Sequence, residues 1–475
     1  MTALDLGMMT LLLLAFYYQY RRTRFLFLPS NVSLLTGFIL AMYVAYLLAT
    51  SPESLEAIGQ VQHFRTIQWG ADEALVIVTI GIISGIVSYI ISGLLMTRSV
   101  RRYAHATFAS PAISINDVVM GACITVFIAL SYVFYAFYQA GALPVFSSNP
   151  LYWRSALAQN VGGSLYLGAC SVASIGMIFL VAALTLGKIR SYKLLSIIAI
   201  GATSFTNFST ASRGTFLWPF VSAGLIYFSA KQKKLTLPRA LAVCAGLLVL
   251  AASMQALKYG NMPSWSQTED EILHGNTFFA NFRDTGWTLA YFELGRYNFV
   301  HGKTILAGLL GFLPHGEGSF RSQYRWGTFA LRVTGNDDPT THYGLGQVMF
   351  ADWYVNFGYS GVIIEGLLFG LFMRFIDERL LYLRNKAKTL KEFDCYGAFR
   401  VWTWSSICSG LISSATAPFT YPTLGGLIAI GAFSLVVHKI SQGLRAVVHL
   451  PSPAQSIRSK PVAAARDGYP GRAKP

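Results

Sequence analysis

The stretch Thr341–Phe372, "THYGLGQVMFADWYVNFGYSGVIIEGLLFGLF", sets a polar mouth against hydrocarbon-like sequence. His342, Asp352, Trp353, Tyr354 and Asn356 come first, and from Gly358 onward Glu365 is the single charge. An apolar helical run of about 20 residues crosses a hydrocarbon core of about 30 Å. The segment therefore reads as a membrane span with its chemistry gathered at one lip.

Working outward, the same apolar run recurs along nearly the whole chain. Of the 475 residues, 53% are hydrophobic and 12% charged, about half the charge of an ordinary soluble domain. The expected fold is an all-α polytopic membrane protein. Its spans fall near residues 4–20, 30–50, 72–96, 114–139, 162–187, 192–208, 215–230, 238–256, 350–373, 399–416 and 421–438, about 11 transmembrane helices in all. The first run ends in "RRTR" without a small-residue cleavage site, so it reads as a retained span and not a signal peptide. The net charge of +16 is expected to report loop bias and anionic lipid, and no nucleic acid. The five cysteines form no CxxC pair and indicate neither a disulfide framework nor a metal site.

Basic loops fall on alternate connections. "RRTR" (Arg21–Arg24), "RSVRR" (Arg98–Arg102), "KIRSYK" (Lys188–Lys193), "KQKK" (Lys231–Lys234) and "RNKAKTLK" (Arg384–Lys391) share one side with the tail. That side is expected to be cytoplasmic. On the opposite side, residues 257–349 form one large extracytoplasmic loop, within a membrane domain of residues 1–450. Residues 451–475 read as a disordered basic cytoplasmic tail. Inside the large loop, the apolar segment Gly286–Leu313 reads either as an interfacial helix over Thr288–Phe299 or, alternatively, as a re-entrant or twelfth membrane segment around Ile305–Leu313.

The outward loops concentrate arginine against the usual bias. Arg213 sits in the short turn "FSTASRG", and Arg283, Arg296, Arg321, Arg325 and Arg332 lie in the large loop. Guanidinium presents a planar fork of donors that keeps its charge, suited to phosphate and diphosphate. Arg213, between two apolar spans, is costly unless paired or solvated, so it is expected to face a polar cavity. Arg283 is either a ligand group or the local partner of Asp284. In "LPHGEGSFRSQYRWG", Leu313–Gly327, the residues His315, Glu317, Arg321 and Arg325 crowd among glycines. His342 and His315 are the candidate bases, because imidazole titrates near neutral pH; the alternative is an ordinary loop histidine. Asp352 is an orienting or accepting carboxylate, or the polar cap of its span. Walker-type phosphate loops, HExxH and a DxD beside the arginines are all missing, so no metal is expected.

The order of these parts resembles the O-antigen polymerase (Wzy-type) and oligosaccharide repeat-unit polymerase families. The resemblance rests on "TASRGTFLWPFV" (Thr210–Val221) opening a span, a large outward loop with "GLLGFLPHGEGSFRSQYRWG" (Gly308–Gly327), and "ADWYVNFGYSGVIIEGLLFGL" opening the next span. The last matches a carboxylate-x-Tyr followed by Asn-Phe-Gly, met by Asp352, Tyr354, Asn356, Phe357, Gly358 and Gly361. Asp352 stands where that family commonly has Glu, and "RSQYRWG" stands where it often closes on Lys-Pro.

The resemblance implies a GT-C-like, metal-independent glycosyltransferase without cofactor. It would work in the bacterial inner membrane with its site facing the periplasm, polymerising undecaprenyl-diphosphate-linked oligosaccharides. Arg213, Arg283, Arg321 or Arg325 would hold the diphosphate, with Tyr354 and Asn356 at the substrate. His342, then His315, would take the acceptor proton near Asp352. A chain-length regulator and a flippase are the partners it suggests. An O-antigen ligase-type transferase shares this layout. A transporter or flippase predicts internal repeats or mid-membrane charge, neither of which is prominent here.

Overall fold

The computed structural model describes residues 3–23, 64–95, 115–141, 143–147, 163–186, 192–210, 277–295, 297–310, 318–335, 347–387 and 420–448. It adds single positions at 28, 30, 31, 34, 153, 157, 216, 219, 220 and 246. The expected spans near 30–50, 215–230, 238–256 and 399–416 and the tail lie outside the described residues, apart from those single positions.

The described residues form helices and connecting turns, without strands. The helices are α1 (Ala3–Thr23), α2 (Phe64–Leu95), α3 (Ile115–Ala140), α4 (Gly163–Leu186), α5 (Lys193–Ser209), α6 (Thr277–Leu294), α7 (Lys303–Leu309), α8 (Phe320–Tyr324), α9 (Trp326–Val333), α10 (Ala351–Ala387) and α11 (Thr420–Val448). Three of them carry stretches long and apolar enough to cross a membrane: Glu73–Leu95, Asn116–Ala140 and Ala351–Glu378. Gly168–Leu184 is a shorter apolar helix. The chain is thus a helical membrane-embedded protein; α3, α4 and α5 end close to the bounds read from hydropathy, while α2 starts earlier and α10 and α11 run on past them.

Two cores organise the helices. In the first, α2 lies along α10 and α6, with α1 and α9 closing the sides around Ile77, Leu289, Phe329, Phe350 and Val355. In the second, α3 packs on α4, α5 and α11 around Val126, Phe179 and Phe433. Ile178 and Ala182 of α4 reach into the first core.

The α2–α10 seam is made of glycine. A Cβ on Gly370 would lie 2.0 Å from the Gly85 carbonyl oxygen, and one on Gly366 would lie 2.4 Å from that of Gly81. Both pairs are spaced by three residues, in "GIISG" and "GLLFG", so two small-xxx-small faces meet backbone to backbone. Partners ascend together along both helices, with the Ser88 hydroxyl donating to the Leu367 carbonyl at 2.6 Å. The two helices are therefore parallel. In the second core, Phe137 meets Tyr166 while Gly176 meets Val126, so α3 and α4 are antiparallel. Ser441 of α11 donates to the Asp117 carbonyl of α3 at 3.0 Å, and these two are also antiparallel. Every direction agrees with the alternation of basic loops.

In the large loop, most of Thr288–Phe299, expected as an interfacial helix, belongs to α6, which starts earlier and turns at Gly295. Its Thr285, Thr288, Leu289 and Ala290 are fully buried. The close approach of Gly70 to Gly286 brings α6 onto α2. The described part of the Ile305–Leu313 segment belongs to α7, Lys303–Leu309, and residues 311–313 lie outside the described residues.

Candidate functional site

α10 contains a corner. Gly358 has φ 63° and ψ −154°, a conformation essentially confined to glycine. It separates a short helix, residues 351–357, from a long one that starts at Tyr359. A Cβ on Gly361 would sit 2.5 Å from the Trp353 carbonyl oxygen, although eight residues of straight helix span about 12 Å. The short helix is thus folded back across the start of the long one. From 359 to 378, the long helix still reaches about 30 Å. Gly358→Ala is expected to lower stability by about 1–3 kcal/mol. The check is an earlier loss of the monodisperse peak when detergent-solubilised protein is heated.

A broken helix leaves carbonyls and amides that must find partners at membrane depth. Here the 297–302 turn supplies them. The Val300 amide donates to the Val355 carbonyl at 3.1 Å, and the Gly302 amide donates to Asn356 Oδ1 at 2.6 Å. The Asn356 amide donates to the Asp352 carbonyl at 2.6 Å and also to the Thr304 hydroxyl. That hydroxyl in turn donates to the Asp352 carboxylate. Asp352, Asn356 and Thr304 are all fully buried. Together they lock α7 against the folded-back helix, so Asp352 and Asn356 hold the corner's shape.

Phe350, just before the corner, has φ 70°, which costs a non-glycine residue about 1–3 kcal/mol. Its fully buried ring fills the gap beside Gly81 and packs edge-on against Phe369. That packing offsets the backbone strain.

Two groups of side chains flank the corner. On α7 and α8, Lys303 Nζ lies 5.0 Å from the centroid of the Tyr324 ring and 3.5 Å from its hydroxyl. Arg321 and Arg325 bracket the same short helix. Burial, and after it the like charge of Arg325, holds Arg321 below the ordinary arginine pKa. Two guanidinium groups and an ammonium thus share α7, α8 and the turn after α8, with α8 packed on α7.

On the other flank, the buried Tyr354 hydroxyl donates to Glu293 of α6 at 3.0 Å. The Tyr359 hydroxyl donates to Glu73 of α2. The two tyrosine rings meet edge to face at 5.2 Å. The result is a pair of carboxylates on an aromatic floor. Near the corner, Gln347 Nε2 and Trp353 Nε1 are buried donors with no acceptor among the described residues.

Of the expected site residues, Asp352, Tyr354 and Asn356 share the short helix before the corner, while Arg321 and Arg325 lie on and at the end of α8, which packs on α7. His342, His315 and Arg213 lie outside the described residues, as does the side chain of Arg283, whose backbone belongs to α6. Sequence reading missed Glu73, Glu293, Tyr359, Thr304 and Lys303, whose partners are far away in the chain. No group of three His, Cys, Asp or Glu side chains able to hold a metal occurs among the described residues.

Chemically, guanidinium groups suit anions, and carboxylates that accept from hydroxyls suit polyols. Compared with known protein families, with characterised proteins and with solved structures, the chain shows no match.

Proposed function

We propose that this protein is a membrane-embedded glycosyltransferase of the O-antigen polymerase type, acting on undecaprenyl-diphosphate-linked oligosaccharides at the periplasmic face of a bacterial inner membrane. The observation that supports the reading is the Asp352–Thr304–Asn356 lock, with Lys303 next to Thr304 in the chain and Arg321 and Arg325 on the neighbouring α8 and its end. It lies at the start of α10, and the basic loops follow the opposite end of that helix.

In this reading the acceptor hydroxyl attacks the anomeric carbon of the donor glycan. The new glycosidic bond forms as the bond from that carbon to the diphosphate oxygen breaks. The acceptor proton passes to a base, His342 first and His315 second, and lipid diphosphate leaves with the bond's electrons. Arg321 and Arg325 stabilise the charge developing on the leaving diphosphate, joined by Arg213 and Arg283 from the same side of the chain. Tyr354 and Tyr359, with Glu293 and Glu73, offer rings and carboxylates to sugar faces and hydroxyls. No step calls on a metal or a nucleotide sugar.

Purified protein incubated with lipid-linked repeat units is expected to yield a ladder of oligomers. Absence of any ladder, with the substrate intact, would overturn the assignment. A ligase instead transfers finished glycan to another acceptor. Cells lacking the protein should display single attached repeat units if it polymerises, and none if it ligates.

A further inference from the structure

A second polar assembly sits at the other end of the α2–α10 seam, remote from the corner. Asp377 of α10 is fully enclosed, accepting from the Ser30 hydroxyl and from the Tyr89 hydroxyl at 2.9 Å, and Gln19 of α1 donates to Tyr89. Beside it, Arg374 is 5% exposed, lies over the Tyr89 ring at 5.1 Å, and gives one Nη to Glu378. Its Nε has no acceptor among the described residues. A buried guanidinium edge without a partner is unfavourable until an acceptor reaches it.

Arg374 lines a cavity of about 390 Å³ between α1, α2 and α10. The floor is Ile82, Ile86, Phe369 and Met373, with Ala15 on the α1 side. The rim residues Tyr18, Ile90 and Leu94 are exposed apolar groups, which on a membrane-embedded chain means exposed to lipid. The groove therefore opens sideways into hydrocarbon. At its polar end stands Arg22, exposed in the last turn of α1 and preceded by Arg21.

The charged groups facing this end are Arg22, Arg374, Glu378 and Asp377. Asp377 is turned to Ser30 and Tyr89, and Glu378 occupies one edge of Arg374. What remains open is cationic and donates hydrogen bonds.

We propose that this groove is a phospholipid site: one acyl chain lies in the cavity, and the glycerophosphate reaches Arg22 and the enclosed, unpaired Nε edge of Arg374 at the cavity wall. The occupant comes from the leaflet at the basic end of the helices, because the open wall faces hydrocarbon and the polar end sits among arginines. The site is independent of the transferase reading.

The test uses the delipidated full chain in detergent, examined by native mass spectrometry with added phosphatidylglycerol. Two further probes separate the sources of recognition: glycerol 3-phosphate carries the head alone, and diacylglycerol carries the chains alone. Wild-type protein is expected to retain one phosphatidylglycerol and neither fragment. Ala15→Trp and, at the exposed rim, Ile90→Trp fill the groove and should lower retention at least tenfold. Arg374→Gln should do the same, with a monodisperse gel-filtration peak confirming folding in each case. Equal retention by wild type and both tryptophan variants means annular lipid only and overturns the proposal. Equal binding of diacylglycerol overturns the phosphate contact, and equal binding of glycerol 3-phosphate overturns the acyl groove.

Discussion

Gly370→Leu is expected to remove most folded protein from the membrane. A Cβ alone would stand 2.0 Å from the Gly85 carbonyl oxygen and 2.8 Å from its carbon. These are backbone atoms, so no rotamer change relieves the clash, and α2 and α10 must separate along their seam. Overpacking a well-fitted core costs about 1–3 kcal/mol, and separation also strips the close backbone contacts that hold helices together in lipid. The check is the yield of monodisperse protein and its survival on heating, compared with Gly201→Leu. Gly201 lies on α5 with nothing near its missing Cβ, so that variant should behave as wild type. Equal loss in both would mean that leucine at any span position is harmful and that the seam is not special.

The second large effect belongs to the cations. Arg321→Gln combined with Arg325→Gln is expected to lower the rate of glycan transfer by about 100- to 1,000-fold, the cost of removing one preorganised donor from a developing anion in other enzymes. Arg325 alone is exposed at the surface and should cost less than Arg321 alone. Lysine at both positions should recover only part of the loss, since an ammonium lacks the bidentate fork. Both side chains lie away from the buried lock, so the variant should keep the melting behaviour of wild type. A double variant that makes polymer at the wild-type rate would remove these arginines from diphosphate binding.

Helices were legible because hydropathy is a local property. The bounds expected for α3, α4 and α5 fall near the observed ends, while α2 starts earlier than expected, and the loop charges agree with the relative directions of the packed helices. Asp352 was legible as an oddity and Gly358 as a glycine that mattered, but the corner between them was not. Its geometry depends on Thr304 and Gly302, which lie some fifty residues upstream. The carboxylate flank was harder still, because Glu73 meets Tyr359 only through the fold. One signal was readable and passed over: "GIISG" and "GLLFG" each place glycine at the spacing of a close-packed helix face. The start of α6 at Thr277 was not legible, because the contact that brings it onto α2, Gly286 on Gly70, lies more than two hundred residues away.

The parallel glycine seam also has a consequence for how the chain is made. Two parallel neighbours cannot be a hairpin, and here α2 ends at residue 95 while α10 begins at 351. At about 5–20 residues per second, translation needs roughly 13–50 seconds to cover that interval. During it, α2 must already stand in the bilayer with its glycine face unclaimed by its final partner. Biogenesis therefore passes through a half-built bundle whose seam is filled by lipid or a provisional neighbour, and completion means exchanging that occupant for α10.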